Sequence, residues 1–82
     1  MLVTGLLERG GHEGDALRHA DEAVRLEPFR ESGYVALMRL HLAMGNRAEA
    51  LRVFEGCRRL FAEELGTTPS PELDAVFREA LR

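Results

Sequence analysis

Three histidines, one cysteine and two adjacent glutamates are the residues of this 82-residue chain with types suited to chemistry. His12 and Glu13 precede Asp15 and His19, which stand one helical turn apart, a spacing that raises zinc binding. Zinc requires three or four convergent ligands, and the soft one, Cys57, belongs to a different predicted helix. The cluster therefore reads as turn and surface residues, and His41 is expected to pack beside Tyr34 and Met38. Reactive thiols sit at helix N-termini or beside a base in a cleft, whereas Cys57 falls mid-helix at a small-residue packing position. It is expected to be a buried structural thiol. Neighbouring residues on a helix point about 100° apart, so Glu63 and Glu64 do not converge as an acid–base pair. They read as a solvated face, with Arg59 one turn from Glu63. No phosphate-binding glycine loop, nucleophile elbow or metal-binding helix motif is present in the sequence. The expectation is no catalytic site, no metal and no cofactor.

The elements that position these residues are predicted to be helices, and the fold class all-α. Five segments can be drawn. The first is short, Leu2 to Arg9, stopping at Gly10-Gly11. The second runs from about Asp15 to Glu27, with Ala16, Ala20, Ala23, Val24 and Glu27 on one face and Pro28 marking its end. The third spans about Glu31 to Met44 and stops at Gly45-Asn46, suited to a left-handed C-cap. The fourth runs from about Arg47 to Glu64 and stops at Gly66. The last starts at Ser70, which can cap a helix carrying Pro71 in its first turn, with Glu72 facing the helix dipole. Its Leu73, Val76, Phe77, Ala80 and Leu81 form a complete apolar stripe. The third segment is apolar nearly all round and is expected to be the central slab of the fold.

An internal repeat appears at an offset of 34 residues: Leu6, Gly11, Ala16, Leu17, Arg18, Arg25 and Leu26 return as Leu40, Gly45, Ala50, Leu51, Arg52, Arg59 and Leu60. That offset is the tetratricopeptide period, a helix–turn–helix unit. Small Ala16 and Ala50 are expected in equivalent helix–helix contacts. The predicted architecture is a stack of antiparallel helix hairpins forming a tetratricopeptide-like, right-handed solenoid within a single domain, 1–82. Met38, His41 and Ala62 depart from the usual small, aromatic and proline residues of such repeats. Solenoids need polar capping units at their ends. The apolar Leu2, Val3, Leu6 and Leu7 instead predict self-association, as a homodimer, or continuation in a longer protein.

Composition excludes several classes of function. With 45% hydrophobic and 30% charged residues the chain is globular rather than disordered. A net charge of −3, with arginines alternating with acidic residues, argues against direct nucleic acid binding, which needs a basic stripe. No apolar run is long enough to span a bilayer and no signal peptide is evident, so a cytoplasmic location is expected. A single cysteine cannot form an internal disulfide, which suits a reducing compartment. All eleven basic residues are arginine and there is no lysine or isoleucine, the bias of a GC-rich genome.

Three motifs in order carry a resemblance. Leu-Glu-Pro-Phe-Arg-Glu (Leu26 to Glu31), Gly-Asn-Arg-Ala-Glu-Ala-Leu (Gly45 to Leu51) and Glu-Leu-Gly-Thr-Thr-Pro-Ser-Pro-Glu-Leu (Glu64 to Leu73) resemble the bacterial transcriptional activator domain. This is the tetratricopeptide-like helical module of actinobacterial antibiotic regulators, and the resemblance runs from about Glu8 to the C-terminus. It implies a C-terminal part of such a module, acting in protein–protein interaction or oligomerisation within a transcriptional regulator, without catalysis. The implied partner is a protein, the transcription machinery or a second copy. The other reading is a free-standing tetratricopeptide adaptor that docks a peptide or partner helix. An upstream winged-helix segment in the gene favours the first, a true start at Met1 the second. In repeats of this type the first helix of each pair lines the concave groove, which points to Phe29, Arg30, Ser32, Val35 and Arg39. Arg30 and Arg39 are suited to partner carboxylates, Phe29 and Val35 to apolar contact. Equally, Phe29 suits a wedge between repeats, and the arginines suit intramolecular pairs with Glu31 or other acids.

Overall fold

A computed structural model describes the backbone from residue 2 to residue 82 and the side chains from residue 14 onward. It contains four helices: α1 (Leu2–Leu26), α2 (Glu31–Ala43), α3 (Arg47–Leu65) and α4 (Pro71–Leu81). There is no strand among the described residues. The expected first and second helices are one, so the count of five is corrected to four. Gly10 and Gly11 weaken a helix, by about 1 kcal/mol each relative to alanine, but each keeps its N–H and so its place in the hydrogen-bond ladder. Proline removes that donor, and the first proline of the chain is Pro28. The helix ends just before it.

The other boundaries follow local chemistry. Gly45 adopts a left-handed φ of 75° after α2, with its N–H donating to the Leu42 carbonyl at 3.0 Å and that of Asn46 to the His41 carbonyl at 2.7 Å. Gly66 does the same after α3 at φ 66°, donating to the Ala62 carbonyl at 3.1 Å. Ser70 caps α4: its hydroxyl accepts from the Leu73 N–H at 3.5 Å, with Pro71 beginning the first turn.

Helix α2 is the centre, in contact with α1, α3 and α4, while α3 also meets α4 and α1 meets α2 alone among the described helix pairs. One core cluster joins Tyr34, Val35 and Met38 of α2 to Ala50, Phe54, Cys57 and Phe61 of α3 and to Leu73, Val76 and Ala80 of α4. Aromatic rings fix its two ends. Phe54 stacks on Phe77 with ring centroids 4.1 Å apart, and Tyr34 meets Phe61 edge-on at 6.0 Å. Where α1 crosses α2, a Cβ added to Gly33 would lie 3.2 Å from the Val24 Cγ2, so glycine sets the close approach.

The two halves of the repeat are unequally covered. Ala50 is fully buried and Ala16 half-buried; Cys57 is fully buried and its counterpart Ala23 exposed. The cause is the neighbour count of each helix: α3 lies against both α2 and α4, whereas α1 has α2 only.

Candidate interaction surface

The residues that raised chemistry are dispersed by the fold. Burial first, and the Glu31 carboxylate second, push the Cys57 thiol up to about 11, so it carries its proton at neutral pH. Its burial makes it a core residue. His41 is half-buried and lines a recess with Leu17, Asp21, Leu37 and Glu49, and its Nδ1 is buried without a hydrogen-bond partner. No group of three or more histidine, cysteine, aspartate or glutamate side chains suited to a metal occurs among the described residues. His12 and Glu13 have side chains outside the described residues, as do Leu2, Val3, Leu6 and Leu7, on which the expected self-association rests.

The five residues expected to meet a partner are separated into three environments. Val35 is buried at 8% exposure and belongs to the core, because α4 and α3 cover that side of α2. Phe29 stands 47% exposed in the turn between α1 and α2, with its ring 6.0 Å from that of Phe61, so it is half wedge and half surface. Arg39 reaches across to α4, its Nη1 3.3 Å from the Glu79 Oε1. Arg30 and Ser32 are exposed and lie together on the rim of a groove between α1 and α2, where the Arg30 Nε is 2.8 Å from the Glu27 Oε1.

That groove is mostly apolar. About 390 Å³ in volume, it is floored by Ala20, Ala23, Leu26, Gly33 and Ala36. Leu26 is 72% exposed there, a large aliphatic side chain without cover. Sequence reasoning placed Ala20 and Ala23 on one face of a helix but assigned them to packing. Alanine and glycine have no functional group to signal a site, and only the missing neighbour of α1 turns this face into a surface.

Charge on the outer surface is balanced at short range. Arg18, Arg25, Arg30, Arg52, Arg58 and Arg78 each pair with an acid three or four residues earlier on the chain. With the Arg39–Glu79 pair, seven of the ten arginines among the described side chains face a carboxylate. No described helix is long and apolar enough to cross a membrane.

The resemblance-bearing motifs meet in space. Glu31, closing the first, accepts hydrogen bonds from the Ser70 backbone N–H at 3.2 Å and from the Ser70 hydroxyl, within the third. Tyr34 donates to the Pro28 carbonyl at 2.6 Å, holding the first motif's turn against α2. A polar strut therefore ties the start of α2 to the cap of α4.

Comparison with known proteins agrees with these motifs. The family model described as the bacterial transcriptional activator domain matches residues 1–81. The regulatory protein AfsR of Streptomyces griseus is 40% identical over 76 residues, covering 93% of this chain and 8% of that protein. The regulatory protein AfsR of Streptomyces coelicolor is 34% identical over 76 residues, with the same coverage of each. The chain thus spans about 8% of the length of these curated relatives. No solved structure matches it significantly. Family-model coverage of nearly the whole chain, with the three motifs in order and two of them joined by the Glu31–Ser70 contact, means that the chain belongs to the bacterial transcriptional activator domain family.

Proposed function

We propose that this chain is a non-catalytic protein–protein interaction module of a cytoplasmic transcriptional regulator, its helices stacked as tetratricopeptide-like hairpins in a right-handed solenoid. The observation that carries the reading is the uncovered α1–α2 groove, apolar at its floor and rimmed by Glu27, Arg30 and Ser32. Contiguous exposed apolar surface rimmed by polar groups marks interaction sites. A helix laid into such a groove gains burial of Leu26 and the alanines, while Arg30 and Ser32 supply hydrogen bonds that fix its register.

The partner is a protein, either the transcription machinery or another copy, and DNA is left to a different part of the regulator. Phosphate contacts need arginines free to release counterions, and seven here already face carboxylates. The test separates the two roles in the full-length regulator. Ala23→Arg, which fills the groove from an exposed position, is expected to abolish transcriptional activation in a reporter assay while leaving promoter affinity unchanged. Full activation by that variant, or salt-sensitive duplex binding by the isolated chain, refutes the reading.

A further inference from the structure

We infer that the acidic end of the helix stack, around Phe29 and Leu65, docks an amphipathic helix of a protein partner that is rich in lysine and arginine. This rests on the reading of the chain as an interaction module and adds a surface apart from the α1–α2 groove.

The fold gathers this end from two stretches of sequence. The turn between α1 and α2 is held by Tyr34, which donates to the Pro28 carbonyl. The last turns of α3 meet it through Phe61, whose ring lies 6.0 Å from that of Phe29. The start of α4 joins them through Ser70, which donates to the Glu31 carboxylate. Residues 26–31 and 61–72 therefore share one end of the stack. Its apolar part is Phe29, 47% exposed, and Leu65, 49% exposed. Leu65 stands one helical turn beyond the buried Phe61 on the same side of α3. An aromatic and an aliphatic side chain, half in water beside a fixed buried ring, have the make-up of an interface core.

Charge decides what covers it. Residues 26–31 and 61–72 hold five glutamates, at 27, 31, 63, 64 and 72, against one arginine, Arg30. That is a net charge of −4 in a chain whose total is −3, so the rest of the molecule sums to +1. Arginines elsewhere pair with nearby acids, but Glu63, Glu64 and Glu72 have no ion-pair partner among the described residues. Glu64, three residues after Phe61, borders the apolar patch. Glu63 lies about 200° round α3 from Phe61, so it adds to the field while facing away. Such a field repels phosphate and attracts cations. Apolar anchors one turn apart, flanked by lysine or arginine, complement the patch and its rim together.

Fluorescence anisotropy tests the surface with a labelled helix of about fourteen residues made of leucine and lysine, added to the chain at about 0.15 M salt. Saturable binding is expected, weakened roughly tenfold or more by Leu65→Ser and by Glu64→Lys. Glu22→Lys makes the same change of charge at an exposed position of α1 and is expected to weaken binding less than about threefold. Absence of binding overturns the inference, as do equal losses from Glu22→Lys and Glu64→Lys, or equal affinity for a leucine–glutamate helix. Should Leu65→Ser fail to fold, exposed Glu64 decides through its own variant. A roughly tenfold loss with Ala23→Arg and none with Leu65→Ser places the probe in the α1–α2 groove. That outcome overturns the acidic end and leaves the interaction reading standing.

Discussion

Separating Ser70 from Glu31 should release α4 from the start of α2, and the structure sets the size of the effect. The Ser70 hydroxyl both donates to the Glu31 carboxylate and accepts from the Leu73 N–H at 3.5 Å. At that length the cap lies at the weak end of its range, about 0.5–1 kcal/mol. The hydrogen bond to a carboxylate, between two half-buried residues, contributes about 1–2 kcal/mol. Ser70→Ala is therefore expected to cost about 2 kcal/mol, which for a domain of this size lowers Tm by roughly 10 °C. Glu31→Gln keeps an acceptor and the backbone N–H contact from Ser70, and is expected to cost about 1 kcal/mol. Because both changes act on one bond, a double-mutant cycle followed by thermal and urea unfolding should give a coupling of about 1 kcal/mol. Strict additivity of the two, or a Ser70→Ala variant as stable as the parent, would refute the strut.

Three further outcomes follow from the core and the helix crossing. The Cys57 thiol, raised to about 11 in the fold from 9.0, keeps its proton in the native state while the unfolded chain loses it. Stability is thus fully present below pH 9 and should fall by about 2–3 kcal/mol as pH rises through 11, a decline that urea titrations should show and that Cys57→Ala should remove. Met38 is fully buried at the junction of three helices, so Met38→Ala should cost about 2–5 kcal/mol by equilibrium unfolding. Gly33→Leu places its side chain into Val24, already 3.2 Å from a bare Cβ, and should cost about 1–3 kcal/mol. Hydrogen exchange should then show loss of protection confined largely to α1.

What was legible in the sequence is what backbone chemistry decides locally. Pro28, Gly45, Gly66 and the Ser70-Pro71 cap each act on their own neighbours, and each ends or begins a helix where expected. Gly10-Gly11 misled because glycine weakens a helix without removing a hydrogen bond, and α1 runs through it. The central place of α2 followed from its apolar circumference. Of the candidate residues, the exposure of Arg30 and Ser32 was legible. Val35 was not, since its burial depends on α4 arriving from some forty residues away, as does the pairing of Arg39 with Glu79. The groove floor was hidden for a different reason. Ala20, Ala23 and Gly33 look like packing residues, and they line a recess because one flank of α1 has no described helix upon it.

Photo-crosslinking from the groove tests the central claim most directly. A benzophenone side chain is installed at Ala23 or, as a control, at exposed Glu63 of α3 in the full-length regulator, which is irradiated on promoter DNA with purified RNA polymerase holoenzyme. Protein adducts from Ala23, to polymerase or to a second regulator copy, with none from Glu63, are expected. Adducts from Ala23 to DNA, or protein adducts from Glu63 alone, would contradict the assignment of this groove to protein recognition.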